Sequence, residues 1–116
     1  MLSITGDQIQ RLDDASYGRF EQRCVEFLRE RFPELDAYAS GPDLLASVRA
    51  GIASARFRGL QNGDDVVLYL YLRQLLGAGF DTGETPIGAA MNDASLAPSA
   101  RVARAAELAA AQSEAA

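Results

Sequence analysis

The chain has 116 residues, with 16 acidic side chains against 11 arginines and no lysine, which gives a net charge of -5. It contains no histidine and one cysteine, so it offers no Ser-His or Cys-His nucleophile pair, no Cys/His zinc site and no internal disulfide. The length suits one small domain, and an apolar content of 48% suits a globular core.

The distribution of charge limits the kinds of partner. Residues 1–58 carry eight arginines against nine acids and residues 59–116 carry three against seven, so a basic surface is expected only in the first half. An acidic chain without a basic run is not expected to bind nucleic acid. The longest apolar run, Val66–Leu72, is far shorter than the ~20 residues of a membrane-spanning helix, and the first residues lack the pattern of a signal peptide. We therefore expect a cytoplasmic protein with neither a nucleic-acid nor a membrane partner.

The first half of the chain predicts two long helices. Thr5 begins a helix whose apolar residues recur with a helical period as far as Pro33, which ends it because the residue before a proline avoids the α conformation. One helical turn is expected over 34–39. The segment Ser40-Gly41-Pro42-Asp43 is typical of a helix start, and it predicts a second long helix over 42–58.

The third long segment is ambiguous in composition. Asn62 provides a helix cap, whereas the β-branched and aromatic residues of Val66–Leu72 would also suit a buried strand. The apolar pattern runs for about fifteen residues from this cap to Gly77, a length that is ordinary for a helix and long for a strand. We predict that 63–76 forms the central and most buried helix.

The last part of the chain predicts two further helices. After a glycine-rich loop, Pro86 begins a short helix through Ala90, and Pro98 begins a last helix to about Ala111. This last helix is rich in alanine, which favours helix but buries little area. We therefore divide the chain into a helical bundle over 1–96 and an alanine-rich C-terminal helix or tail over 97–116.

Together these elements predict an all-α fold, a compact orthogonal bundle of four to five helices. In this arrangement the N-terminal helix and the helix over 42–58 pack around the helix over 63–76.

Two groups of polar residues are candidate contact sites for a protein partner. Asp65, Tyr69 and Arg73 are four residues apart and share one face of the central helix, and Tyr and Arg are common in binding hot spots. The second group is Arg49 and Arg56, which are seven residues apart and could attract acidic groups. For each group a solvated helix face is the alternative, and the sequence leaves it open.

Other chemistry-bearing residues have structural explanations. The adjacent acids Asp13-Asp14 and Asp64-Asp65 point about 100° apart on a helix, so neither pair converges on one point. Cys24 lies at an apolar position of the first helix, which predicts a buried structural thiol. We identify no catalytic residue, no metal ligand and no cofactor site.

Three blocks of sequence follow one another in a characteristic order between Ile4 and Pro86. The blocks are Phe20-x-x-Arg23 with Leu28-Arg29 and Phe32-Pro33; Gly51-Ile52-x-x-Ala55 with Gly59; and Asp65-Val66-x-x-Tyr69-Leu70 with Leu76-Gly77-x-x-Phe80-Asp81. In this order the chain resembles small helical proteins encoded in bacteria beside type VI secretion spike and effector genes. The resemblance implies a cytoplasmic accessory role, as an effector adaptor, a chaperone or an immunity partner, and it transfers no catalytic residue.

The sequence therefore predicts a non-enzymatic protein–protein interaction module, an adaptor or chaperone whose partner is a secreted effector or a spike component. The alternative is an immunity protein that blocks the active site of a cognate toxin, with Asp64, Asp81 and Glu84 facing a basic toxin. An enzyme that uses carboxylates ranks third, because two acids from distant segments would have to converge in one pocket. The oligomeric state stays open.

Overall fold

The computed structural model of the chain describes residues 14–115. This part of the chain is all-α, as the sequence predicts, and it contains no strand. Its six helices are α1 (Asp14–Arg31), α2 (Leu35–Tyr38), α3 (Gly41–Phe57), α4 (Gly63–Leu76), α5 (Pro86–Met91) and α6 (Pro98–Ala115). Across these residues, no helix combines the length and the apolar content that crossing a membrane requires.

The helix boundaries follow the local sequence signals. Three of the helices are capped at their N-terminus by a side-chain oxygen that accepts a hydrogen bond from a backbone N–H of the first turn. The capping residues are Ser40 for α3, Asn62 for α4 and Thr85 for α5. These bonds satisfy donors that have no partner inside the helix. Gly77 ends α4 with φ +101°, a backbone conformation that favours glycine. The predicted start of the first helix at Thr5 lies outside the described residues.

The α4 helix occupies the centre of the bundle, as predicted, and packs against α1, α3 and α6. Four of its side chains are buried in the core, namely Val66, Tyr69, Leu70 and Leu72. The strand alternative for Val66–Leu72 is therefore wrong, because the whole segment is helical.

A glycine allows α3 and α4 to approach closely. Gly51 is buried, and a Cβ built on it would overlap the Leu70 side chain. The Arg73 side chain crosses the same gap, and its Nη1 donates to the Ser47 carbonyl oxygen at 2.9 Å. The two buried small residues of α3, Gly51 and Ala55, therefore serve helix packing.

The alanine-rich α6 is part of the same core. Val102 and Ala105 are fully buried and Ala109 is nearly so, and α6 packs against both α5 and α4. The predicted boundary at residue 97 therefore does not separate this helix from the bundle. The physical reason is that alanine, although it buries little area itself, lets a neighbouring helix come close enough to bury its own side chains.

Gly88→Ala should destabilise the protein by about 1–3 kcal/mol, although alanine favours helix, because a Cβ at Gly88 would overlap the carbonyl oxygen of Thr82. Gly18→Ala is the matched control. Gly18 lies inside α1, and a Cβ added to it would have no heavy atom within 4 Å, so alanine there should stabilise by up to about 1 kcal/mol. Urea denaturation of both variants measures the two shifts, and a loss of stability in both would contradict this account.

Candidate functional site

A buried polar cluster forms around the carboxylate of Asp81, in the loop between α4 and α5. The Tyr69 hydroxyl donates to Asp81 Oδ2 at 2.6 Å, and Arg58 Nε donates to the same oxygen at 2.6 Å. Asp81 is 6% exposed and Tyr69 is 1% exposed. The cluster is therefore an ion pair between a buried carboxylate and a partly exposed guanidinium, with one further hydrogen bond to the carboxylate from a buried neutral donor.

The Arg58 guanidinium also organises the surrounding backbone. Its Nη2 donates to the Asp81 carbonyl oxygen at 2.9 Å, and its Nη1 donates to the Met91 carbonyl oxygen at 3.2 Å. The Asn92 side-chain amide donates to the Asp81 and Gly88 carbonyl oxygens, both at 2.8 Å. The cluster thus joins the end of α3, the middle of α4, the following loop and the end of α5.

This environment changes the acidity of Tyr69. Burial, and after it the hydrogen bond to Asp81 and the negative charge of Asp81, raise the pKa of Tyr69 from 10.0 to about 12, and the charge of Arg58 opposes this rise. The phenol is therefore a neutral donor throughout the physiological range. It cannot serve as a base there.

The chemistry of the cluster is that of a structural element. Among the side chains that the structure describes, no buried nitrogen or oxygen lacks a hydrogen-bond partner, so none of them is aimed at a missing ligand. Among these described side chains, no group of three or more His, Cys, Asp or Glu residues is placed to hold a metal ion.

The predicted contact stripe on α4 is not one continuous exposed surface, because Tyr69 is buried, whereas Asp65 and Arg73 are partly exposed and form hydrogen bonds to neighbouring helices. Tyr69 is buried against Phe80, with ring centroids 5.3 Å apart. Asp65 accepts a hydrogen bond from Ser99 of α6, and Arg73 bonds the α3 backbone. Asp81 is likewise unavailable to the acidic face of the alternative immunity role, since Arg58 and Tyr69 surround it.

The exposed face of α3 is the strongest candidate for a contact surface. It consists of Ala46, Ala50, Ala53 and Phe57, which are spaced by four, three and four residues and are all exposed. Phe57 is 93% exposed, the largest value among the bulky apolar residues described. The face points away from the core, because the buried residues of α3 lie on its opposite side.

Sequence reasoning missed Phe57, although a signal was present. The core positions of α3 include Leu44, Val48, Ile52 and Ala55, which recur at helical spacing. Phe57 falls outside this period, so the pattern alone places a large aromatic side chain on the solvent face.

The second predicted pair, Arg49 and Arg56, lies along one edge of this face, and both residues are exposed. Arg49 Nε donates to Glu21 of α1 at 3.1 Å, and 60% of the Arg49 side chain stays exposed. An open groove between α1 and α3 continues this edge. Its charged lining residues are Arg19, Glu21, Arg23, Glu26 and Arg49.

A smaller exposed apolar group lies at the end of α4. Leu75 and Leu76 are 47% and 38% exposed. The neighbouring Tyr71 is half-buried, and its ring packs against Phe27 and Phe32 of the α1 end. This group is less exposed than Phe57 and provides a control surface for experiments.

Cys24 is buried in the core, as predicted, with 1% of its surface exposed. Burial is the main reason that the pKa of its thiol rises from 9.0 to about 11. At pH 8 the folded protein should therefore react with a thiol reagent at least about 100-fold more slowly than the unfolded protein in urea. Absorbance or mass spectrometry follows the reaction, and equal rates in both states would contradict the buried position.

Tyr69→Phe should cost about 1–3 kcal/mol at neutral pH, because Asp81 loses a buried donor. The wild-type free energy of unfolding should also fall as the pH rises from 10 to 12, since the unfolded phenol ionises at 10.0 and the folded one at about 12. The difference in free energy of unfolding between the wild type and Tyr69→Phe should therefore become smaller between pH 10 and pH 12. Urea denaturation at several pH values measures it.

Tyr71→Phe is the matched control for this experiment, because Tyr71 packs through its ring and lies outside the Asp81 cluster. Because this substitution keeps the ring and leaves the Asp81 cluster intact, it should change the free energy of unfolding at neutral pH by less than about 0.5 kcal/mol. A difference in free energy of unfolding between wild type and Tyr69→Phe that stays constant from pH 9 to pH 12 would contradict the assigned hydrogen bond.

Comparisons of the chain with models of protein families, with curated proteins and with solved structures gave no match. The candidate site is therefore defined by the geometry and exposure of the described residues.

Proposed function

We propose that the protein is a non-enzymatic protein–protein interaction module and that the exposed face of α3 is its contact surface. The observation that carries this proposal is the 93% exposure of Phe57. Aromatic residues and arginine are enriched in protein interfaces, and here Arg49 and Arg56 border the same face.

The shape of the face supports contact with another protein. The three alanines leave a shallow surface beside Phe57, so a partner can approach the α3 backbone closely. Burial of one large apolar side chain contributes about 1.5–3 kcal/mol, which corresponds to roughly 10- to 100-fold in affinity. Phe57 can therefore contribute strongly to binding while contributing little to folding.

The partner that we propose is a secreted effector or a spike component of a type VI secretion system, with this protein as its cytoplasmic adaptor or chaperone. The resemblance of the three sequence blocks supports this part of the proposal. The exposed face of α3 supports the more general one, that a protein partner exists. The two parts can be tested in one experiment.

Phe57→Ala should remove the partner from affinity purifications of the tagged full chain out of its native cell, with at least a tenfold loss by quantitative mass spectrometry. The free energy of unfolding of the variant should stay within about 0.5 kcal/mol of the wild type, because the side chain is exposed. An effector or spike protein among the co-purified partners would support the secretion role.

Leu75→Ala is the matched control, since it also shortens an exposed apolar side chain but lies on α4. It should leave recovery of the partner unchanged. The proposed surface is wrong if Phe57→Ala retains the partner, or if Leu75→Ala loses it while Phe57→Ala does not.

A further inference from the structure

We infer that the exposed face of α3 binds a second copy of this chain, in a weak two-fold dimer that pairs the two α3 helices in antiparallel orientation. This goes beyond the proposed function, because the dimer and the complex with the partner use the same surface and exclude each other. The inference is carried by the order of small and large side chains on this face, which is complementary to its own reverse.

The four residues of the face match one another when the helix is reversed. Ala46, Ala50, Ala53 and Phe57 are spaced by four, three and four residues, and these spacings are the same in both directions. In an antiparallel pair centred between Ala50 and Ala53, Phe57 of each copy lies opposite Ala46 of the other, and Ala50 lies opposite Ala53. Each large side chain therefore meets a small one at both ends of the contact.

The shape of the face permits close packing in this orientation. Residues 46–57 cover about 16 Å of the α3 axis, and helices whose contact residues are small approach to about 8 Å between axes. A parallel pair would instead place the two Phe57 rings against each other and hold the helices apart at that end. The antiparallel pair is therefore the one in which the alanines and both rings are in contact.

The area of the contact fits a weak dimer. Burial of one phenylalanine removes roughly 150–250 Å² of surface from water, and 93% of Phe57 is available for it. Two rings and three alanines of each copy give a contact on the order of 1,000 Å² in total, whereas permanent dimers bury more than about 2,000 Å². A dimer of this size exchanges readily, so the face stays accessible to a partner.

The charges beside the face do not oppose the dimer. A two-fold axis brings the same edge of both α3 helices together, and this edge carries Arg49 and Arg56. Arg49 is already paired with Glu21 at 3.1 Å, and Glu26 also lines the adjoining groove. Because the edge contains both signs of charge, apolar contact rather than attraction between charges holds the dimer.

Sedimentation equilibrium of the full chain from about 10 µM to about 500 µM tests the dimer, which should form with a dissociation constant inside this range. The constant should change less than about threefold between low and high salt, because exposed charges contribute little. Phe57→Ala should weaken the dimer by at least about tenfold. Leu75→Ala is the matched control and should leave the constant unchanged, since Leu75 lies on α4.

An exchange of side chains tests the antiparallel register. Ala46→Phe alone should weaken the dimer by at least about tenfold, because two rings would then face each other at both ends. The double variant A46F/F57A should return the dissociation constant to within about threefold of the wild type, because a large side chain again meets a small one. Unspecific attraction between apolar surfaces predicts the reverse, a tighter dimer for Ala46→Phe.

The outcomes separate this inference from the proposed function. A chain that stays monomeric to about 500 µM, a dimer that Phe57→Ala leaves unchanged, or tighter association of Ala46→Phe would each overturn the dimer. The proposed function stands in these cases if Phe57→Ala still loses the natural partner. If the dimer forms as described while Phe57→Ala keeps the natural partner, the dimer stands and the proposed function is wrong.

Discussion

The ion pair between Arg58 and Asp81 is the constraint on which the rest of the architecture depends. It lies at the junction of α3, α4 and the loop that leads to α5, and each partner also bonds groups of other elements. Removing Arg58 would leave the buried carboxylate of Asp81 without a compensating charge, and the loss of one partner from a buried ion pair commonly costs about 3–5 kcal/mol. The loop over 77–85 has little apolar content of its own, so this pair and the burial of Phe80 determine its path.

One face of α3 packs in the core, and the opposite face is exposed to solvent. Towards the core, Gly51 and Ala55 let α4 approach, and larger residues such as Val48 and Ile52 fill the remaining space. Towards solvent, a second set of small residues ends at Phe57. Because Arg58 follows Phe57 directly and is fixed by Asp81, the end of α3 is held in place beneath the exposed ring. A rigid support of this kind lowers the cost of ordering the contact residue on binding.

The distribution of charge separates two regions of the molecule. The groove between α1 and α3 is lined by three arginines and two glutamates, namely Arg19, Arg23, Arg49, Glu21 and Glu26, and residues 1–58 are nearly neutral as a whole. The excess of acids lies in residues 59–116, and one of them, Asp81, is neutralised in the interior. Charges of both signs therefore meet beside α3, and Arg49, which pairs with Glu21, lies on the same helix as Phe57, the most exposed aromatic residue described.

The sequence by itself determined the helices, because caps, prolines and apolar periods act within a few residues along the chain. It also determined that Cys24 is buried and that Arg49 and Arg56 share an edge of α3. Only the tertiary structure decided how exposed Asp65, Tyr69 and Arg73 are and which groups they contact, since a polar stripe on a helix can face water or polar groups of other helices. The partners of Tyr69 come from positions 58 and 81, and no local pattern predicts that these segments meet. The burial of the alanine-rich α6 in the core likewise depends on tertiary packing, because a small side chain becomes buried only when another helix packs against it.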